Sequence, residues 1–241
     1  MTTPGALLEI DGVTKRFGGF LALDRVSIQV RAGERLGLIG PNGSGKTTLI
    51  NCVSGALPTD GGRILFEGRD ITQLPAHQRT RLGIVRSFQI PKPFTSMTVL
   101  ENLGIPLEYA AHSRSGDAAA GALDILRMIG LDAKAHLRPA GLTQIEMRKL
   151  ELARAMAARP KLLISDEAMA GLSSAEVDDI LTILFRLNEQ GITIVMIEHI
   201  MRAVMRFSER IVVLDAGNRI AEGTPAEIVR NPAVEKAYLG E

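Results

Sequence analysis

The most apolar stretches of the chain are short and nearly uninterrupted, which is typical of strands buried on both faces of a parallel sheet. These stretches lie at residues 36–39, 161–165 and 192–197. Asp166 and Glu167 come directly after the second stretch, and His199 lies just beyond the third. Because parallel strands present their carboxyl ends at one edge of a sheet, we expect these polar side chains at the edge where ligands bind.

The rest of the pattern predicts a β-rich portion and a helical segment. Further strands and hairpins are predicted at 7–10, 26–30, 61–71 and 210–222. A basic turn is predicted at 14–19, between the first two of these strands. Residues 98–154 have mostly helical spacing of apolar positions. The prolines at 91–93 break regular structure before that helical segment, where a hinge is predicted.

A glycine-rich segment lies between the first buried strand and a predicted helix. Residues 40–47 match the pattern G-x-x-x-x-G-K-[ST], in which backbone N–H groups turn inward around phosphate oxygens at a helix N-terminus. Lys46 is predicted to reach the β and γ phosphates, and Thr47 supplies a hydroxyl for Mg²⁺. The residues predicted to bind the nucleotide here are Gly40, Asn42, Gly43, Ser44, Gly45, Lys46, Thr47 and Thr48.

Other candidate residues each have a purely structural alternative. Phe17 either stacks on a purine ring or packs beneath its turn. Asp166 would orient a Mg²⁺ water and Glu167 would accept a proton from an attacking water, whereas the alternative role of this pair is an N-cap for the next helix. His199 is predicted to face the nucleotide, although a lone histidine often serves only local hydrogen bonds.

Composition narrows the classes of function. The 241 residues carry a net charge of +1, which gives no electrostatic basis for a nucleic-acid surface. The single cysteine, Cys52, excludes an intrachain disulfide and is predicted to pack in the core. His112 and His136 lack metal-ligand spacing and are expected at the surface. The absence of a signal-like N-terminus and of a long apolar run predicts a soluble chain that reaches a membrane only through partners.

Together these motifs resemble the ATP-binding-cassette ATPases over nearly the whole chain. The matching positions are Phe17, 40–48, Gln89, 163–167, 170–173 and His199. The resemblance implies an α/β fold with a RecA-like P-loop core, a small antiparallel β subdomain and an inserted α-helical subdomain. A single cassette domain then spans 1–241, with the core and antiparallel sheet at about 1–90 and 158–241 and the helical subdomain at about 91–157.

The resemblance also implies an ATP hydrolase that uses ATP and Mg²⁺. In the family, the position of Glu167 is the general base, that of His199 holds the γ-phosphate, and that of Gln89 links the γ-phosphate and the metal to a membrane partner. The implied metal residues are Thr47, Gln89 and Asp166. Two cassettes, identical or paralogous, sandwich two ATP molecules head to tail. They energise two permease subunits at the cytoplasmic face of the inner membrane, with a solute-binding protein as an indirect partner and no nucleic acid.

Finer features are similar to the ATPases of branched-chain amino acid importers. These features are the segments 15–19, 88–94 and 237–241. Importers of related amino acids, amides or urea share them, so these solutes stay open as alternatives. A soluble cassette ATPase acting on DNA or the ribosome is another alternative, although such proteins usually carry coiled-coil insertions or tandem cassettes. A third alternative is a regulatory protein that binds ATP without turnover.

Three positions depart from the family pattern. Residues 142–146 read Leu-Thr-Gln-Ile-Glu where Leu-Ser-Gly-Gly-Gln is usual, Ala168 replaces a proline, and Ser173 stands where Asp or Asn is common. The resemblance implies that the helix N-terminus at Thr143 contacts ATP held by the opposite cassette. Glu146 either faces that phosphate and repels it or folds back onto the Thr143 N–H in a capping box. We therefore hypothesise that this signature completes a weakened ATP site.

Overall fold

The computed structural model describes residues 5–88, 91–109 and 115–239, and the chain forms two compact units. The first unit comprises residues 1–79 and 193–241, and the second comprises residues 80–192. The strands are β1 (Ala6–Phe17), β2 (Phe20–Arg31), β3 (Arg35–Ile39), β4 (Gly61–Phe66), β5 (Arg69–Asp70), β6 (Ile84–Ser87), β7 (Leu162–Asp166), β8 (Thr193–Ile197), β9 (Arg210–Asp215) and β10 (Asn218–Gly223). The α-helices are α1 (Lys46–Ser54), α2 (Ala76–Leu82), α3 (Val99–Tyr109), α4 (Ser115–Ile129), α5 (Gln144–Ala157), α6 (Ser174–Glu189), α7 (Met201–Phe207), α8 (Pro225–Val229) and α9 (Pro232–Leu239).

An antiparallel sheet in the first unit has the strand order β2-β1-β4-β5. The hairpin of β1 and β2 is longer than the predicted strands, and its turn consists only of residues 18 and 19. The prediction of a basic turn at 14–19 is wrong, because Lys15 and Phe17 pair with residues of β2 and continue the strand. The Lys15 Nζ lies 3.0 Å from Asp60 Oδ1, so this nearly buried strand position accommodates a cation through its ion pair.

Parallel strands in the same unit bring several loops to one edge. Strand β3 lies between β8 and β9, with Leu38 opposite Ile197 and Ile39 in register with Val213. The residues that follow these three strands therefore share the edge at which parallel sheets bind ligands. Strand β10 returns antiparallel to β9 through a turn at Ala216–Gly217, where both φ angles are positive, and this confirms the predicted hairpin.

The second unit contains a parallel pair of strands and a group of helices. Strands β6 and β7 are parallel, with Ser87 opposite Ser165. Helices α3, α4 and α5 pack against one another, which confirms the helical character predicted for 98–154. Asn102 on α3 is buried and holds both the N–H and the carbonyl of Phe94, at 2.8 and 3.1 Å. The proline-containing segment therefore ends in a fixed turn. The boundaries predicted for the helical subdomain stay a prediction.

Arg79 stabilises the C-terminal end of α1, the helix that follows the glycine-rich loop. Its guanidinium donates to the carbonyl oxygens of Cys52 and Val53 at 2.7 and 2.8 Å, and to those of Leu74 and Thr72 at 2.8 and 2.9 Å. Only 2% of the residue is exposed, and burial lowers its pKa. A cation at a helix C-terminus satisfies carbonyl groups that have no partner within the helix. The prediction of a short basic helix around Arg79 is confirmed, but this arginine points into the core.

Replacing Arg79 with methionine tests this role. The substitution leaves buried carbonyl oxygens without donors, so we expect the free energy of unfolding to fall by about 3 kcal/mol. Urea denaturation of the full chain measures the loss. Arg81→Met is the matched control, because Arg81 lies on the same helix and is exposed. Equal stability of the two variants would contradict the assigned role.

Candidate nucleotide-binding site

The backbone of the glycine-rich loop passes too close to its neighbours for side chains at two positions. Gly40 has a φ of 151°, and a Cβ placed there would lie 2.0 Å from the Leu214 carbonyl oxygen. Gly45 has a φ of 103°, and its Cβ would lie 2.8 Å from the Ala22 carbonyl oxygen. Both positions therefore require glycine for backbone conformation and for space. The resulting loop has the shape in which main-chain N–H groups can surround an anion.

The turn between β9 and β10 holds this loop in place. The Gly217 N–H donates to the Ser44 carbonyl at 3.0 Å, and the Gly217 carbonyl accepts from the Asp24 N–H at 2.9 Å. Main-chain bonds thus join the loop through this turn to β2. Ser44 itself is 1% exposed, so the middle of the loop is buried, whereas Asn42 lies at the surface. The loop is a fixed part of the first unit.

Lys46 folds back over the loop that precedes it. Its Nζ donates to the carbonyl oxygens of Gly40 and Pro41 at 2.7 and 3.0 Å and lies 3.3 Å from Ser44 Oγ. Helix α1 begins at Lys46, and no side chain of the described residues caps its N-terminus. The N–H groups of that first turn and the ammonium group together suit phosphate oxygens. Thr47 is exposed beside them and offers its hydroxyl.

Phe17 and His199 lie in the same unit as the loop. Phe17 is 48% exposed, with Lys15 Nζ 5.7 Å from its ring centroid, so its ring does not pack beneath the turn and stays accessible for stacking. His199 is exposed and follows β8, which runs parallel to β3. It therefore lies at the edge of the unit where β3 ends at Ile39 and the glycine-rich loop begins.

Tyr238 on α9 reaches the loop, and the sequence reasoning gave it no role. Burial raises the pKa of the Tyr238 phenol, and the nearby Gly40 N–H offsets part of that increase. The only sequence signal was the ending at 237–241, which marked similarity to one group of importers. The end of α9 therefore lies near the start of the loop.

The acidic pair in the second unit has two different environments. Asp166 is 6% exposed, and its Oδ2 accepts two hydrogen bonds from Arg86. Glu167 is half-buried and has a φ of 48°, an uncommon conformation for a residue other than glycine. The N-cap alternative for this pair is wrong, because the next helix is α6 and its N-cap is Ser173.

The described residues fit a magnesium site with few protein ligands. They contain no group of three or more His, Cys, Asp or Glu side chains placed to hold a metal. Magnesium keeps several waters and binds one or two protein oxygens together with substrate phosphates, so a threonine hydroxyl and one carboxylate suit it. Thr47 in the first unit and Asp166 in the second are residues of these two chemical types. Gln89, the third predicted metal residue, and His112 lie outside the described residues.

The altered signature forms a complete capping box at the start of α5. Thr143 is the N-cap, and its N–H donates to Glu146 Oε2 at 2.9 Å while its hydroxyl accepts from the Glu146 N–H. Lys134 Nζ lies 2.7 Å from Glu146 Oε1. The Lys134 ammonium and the Thr143 N–H lower the pKa of the Glu146 carboxyl. Of the two alternatives for Glu146, the structure therefore shows the folded-back one, and the carboxylate is also neutralised.

The remaining candidates have structural explanations. Cys52 is buried and unpaired, and burial raises the pKa of its thiol, so it packs in the core as predicted. His136 is exposed, as expected. Within the part of the chain that the structure describes, no helix has the length and apolar character needed to cross a membrane.

Two protein-family models match parts of this chain. Residues 23–170 match the family model described as ABC transporter. Residues 218–241 match a second model, described as branched-chain amino acid ATP-binding cassette transporter. The first match includes the phosphate loop, the acidic pair and the signature, and the second includes β10, α8 and α9.

Full-length relatives and solved structures agree with the family models. The chain is 39% identical to the high-affinity branched-chain amino acid transport ATP-binding protein BraF of Pseudomonas aeruginosa, over 98% of both chains. It is 41% identical to a probable branched-chain amino acid transport ATP-binding protein, LivG, of Archaeoglobus fulgidus, over 97% of this chain and 95% of LivG.

Among solved structures, a nucleotide-free ATP-binding cassette from an ABC transporter superposes with a TM-score of 0.88 at 33% identity, covering 98% of this chain and 100% of that one. A dimeric bacterial ABC transporter cassette superposes with a TM-score of 0.81 at 28% identity, covering 90% of this chain and 98% of that one. Both share the α/β cassette fold with this chain. The chain therefore belongs to the ABC transporter family and is an ATP-binding cassette, the subunit that hydrolyses ATP to power transport.

Proposed function

We propose that this cassette binds ATP with Mg²⁺ and uses its hydrolysis to drive the import of branched-chain amino acids. The observation that carries the nucleotide part is the loop at 40–48, where glycine backbone, helix N-terminus and Lys46 converge on one anion site. The amino acid part rests on the full-length relatives, whose names specify branched-chain amino acid transport. Urea or amides remain the alternative solutes that a transport assay distinguishes.

In this proposal, the chain's own residues bind the phosphates, orient the attacking water and accept its proton. Lys46 exchanges its bonds to loop oxygens for bonds to the β and γ phosphates. Thr47 and Asp166 would hold the metal and its water, and Mg²⁺ would supply positive charge that stabilises the phosphate oxygens. Glu167, on the strained backbone after β7, accepts the proton of the attacking water. His199 donates to the γ-phosphate oxygen.

We also propose that the cassette acts in a head-to-tail pair beneath two permease subunits. A solved relative is dimeric, and the curated relatives are named as transport proteins. The exposed ring of Phe17 stacks on the adenine. Gln89 senses the γ-phosphate for the membrane subunits, and a solute-binding protein delivers the solute to them from the other side. This arrangement puts the chain at the cytoplasmic face of the inner membrane.

The segment after Gln89 offers a surface for a permease helix. Phe94 is 42% exposed, and Arg154 lies 5.2 Å from its ring centroid. Arg154 also donates to the Lys92 carbonyl at 3.0 Å, and Asn102 holds the Phe94 backbone. An exposed aromatic ring on a fixed turn is a suitable anchor for a short partner helix, because little ordering is needed when the helix binds.

Replacing Glu167 with glutamine tests the catalytic assignment. The amide keeps the shape of the side chain but cannot take the proton of water, so we expect ATP hydrolysis by the assembled transporter to fall at least 100-fold, within the usual range of about 10²–10⁴ for a general base. ATP binding persists, and the cassettes remain paired with ATP trapped between them. Glu189→Gln is the matched control, because Glu189 is exposed at the end of α6. Hydrolysis at the parental rate in the Glu167 variant would show that another group is the base.

Replacing Glu146 and Lys134 separately tests the signature. Glutamine at position 146 preserves the capping box, and the carboxylate that it removes is already neutralised, so we expect ATP-dependent pairing to change less than about threefold. Methionine at position 134 leaves the carboxylate uncompensated in the first turn, and pairing should weaken.

Sedimentation of the cassettes with ATP, each in the Glu167→Gln background, measures both effects. If Glu146→Gln tightened pairing tenfold or more, the carboxylate would face the phosphate when the pair forms, in contrast to its folded-back position here.

A further inference from the structure

Arg86 forms a buried ion pair with the carboxylate to which we assign the metal. Arg86 Nε lies 3.1 Å and Nη2 lies 2.5 Å from Asp166 Oδ2. The two side chains are only 13% and 8% exposed. Nε and Nη2 both donate to Oδ2. Oδ1 of Asp166 takes no part in these two bonds. Such charge-assisted bonds are among the strongest in proteins.

Two neighbouring strands fix the geometry of this pair. Arg86 lies on β6 and Asp166 at the end of β7, and the register places Arg86 opposite Ile164. The guanidinium also lies 5.4 Å from the centroid of the Phe88 ring. A cation held by an aromatic face and by a paired strand keeps its position. The ion pair is therefore built into the sheet and does not depend on a flexible surface side chain.

The ion pair compensates a carboxylate charge that is buried in the protein. A carboxylate as buried as Asp166 loses much of its hydration, which is costly unless a cation compensates the charge. Arg86 provides that cation, because its guanidinium forms an ion pair with the carboxylate. A divalent metal arriving at Asp166 meets a carboxylate whose charge is already compensated, and it is repelled by the guanidinium.

We propose that Arg86 is a positioning residue that compensates the charge of Asp166 and so prevents uptake of Mg²⁺ without ATP. The phosphates of ATP carry enough negative charge to outweigh one guanidinium, so the metal enters only together with the nucleotide. This proposal rests on the assignment of Asp166 to the metal. In this proposal, Arg86 controls the order in which ATP and the metal ion bind. The loop at 40–48 does not provide this control.

Binding of Mn²⁺ to the purified full-length cassette, followed by electron paramagnetic resonance of the free ion, tests the proposal without measuring activity. Arg86→Gln retains an N–H donor for Oδ2 but removes the charge, and Arg86→Met removes both. Without nucleotide, we expect both variants to bind Mn²⁺ at least about tenfold more tightly than the parent, because repulsion between cations a few ångströms apart exceeds the 1.4 kcal/mol of a tenfold change. With ATP present, the difference should shrink.

Two further variants separate the possible outcomes. Arg86→Lys keeps the charge and should bind Mn²⁺ like the parent; a gain equal to that of the glutamine variant would overturn the charge argument. Asp166→Asn should lose Mn²⁺ affinity in the presence of ATP. If the Asp166 variant keeps its Mn²⁺ affinity, the assignment of Asp166 to the metal fails. If both neutral Arg86 variants bind Mn²⁺ like the parent without nucleotide, only the role of Arg86 is refuted. Thermal melts of each variant confirm that the binding data come from folded protein.

Discussion

The nucleotide site of this cassette depends on close backbone contacts that only glycine permits. Gly40 lies against the Leu214 carbonyl, and Gly45 lies against the Ala22 carbonyl. These contacts press the loop between a strand of the antiparallel sheet and the end of β9, while Gly217 bonds to the loop from the adjoining turn. The loop therefore has its anion-binding shape before any nucleotide arrives, and binding requires little ordering of the main chain. The start of α1 and the position of Lys46 follow from that shape.

Three lysine or arginine side chains contact polar or acidic groups that we assign to nucleotide binding. Lys46 donates to loop carbonyls, Arg86 neutralises Asp166, and Lys134 neutralises Glu146 at the signature. Each of these contacts satisfies a polar group that would otherwise be costly to bury or would repel a phosphate. In our account, ATP and its metal replace the first two contacts, and the third removes an obstacle to the partner's nucleotide. Binding of Mg·ATP then replaces contacts within the protein by contacts to the nucleotide and its metal. A single substitution changes the affinity because it alters both sets of contacts.

The sequence predicted the elements that have strong local signals. The loop at 40–48 combines a fixed motif with a strand before it and a helix after it, and the capping box at Glu146 depends on residues three positions apart. The basic segment 14–17 was assigned to a turn because nothing local reveals that Asp60, far along the chain, neutralises Lys15 within a strand. The inward direction of Arg79 and the pairing of Arg86 were missed for the same reason, since both depend on partners brought together only by the fold. The segment 237–241 was recognised from the sequence only as a feature of one group of importers. That Tyr238 lies near Gly40 depends on the fold.

In our proposal, ATP hydrolysis at this site powers amino acid import. The most direct measurement is uptake of labelled leucine into proteoliposomes that contain this cassette, its partner cassette and the two permeases, with the solute-binding protein present. We predict uptake with Mg·ATP, and none with ADP or with an ATP analogue that cannot be hydrolysed. Equal uptake with the analogue, or ATP-driven uptake of urea or amides with none of leucine, isoleucine or valine, would contradict the account.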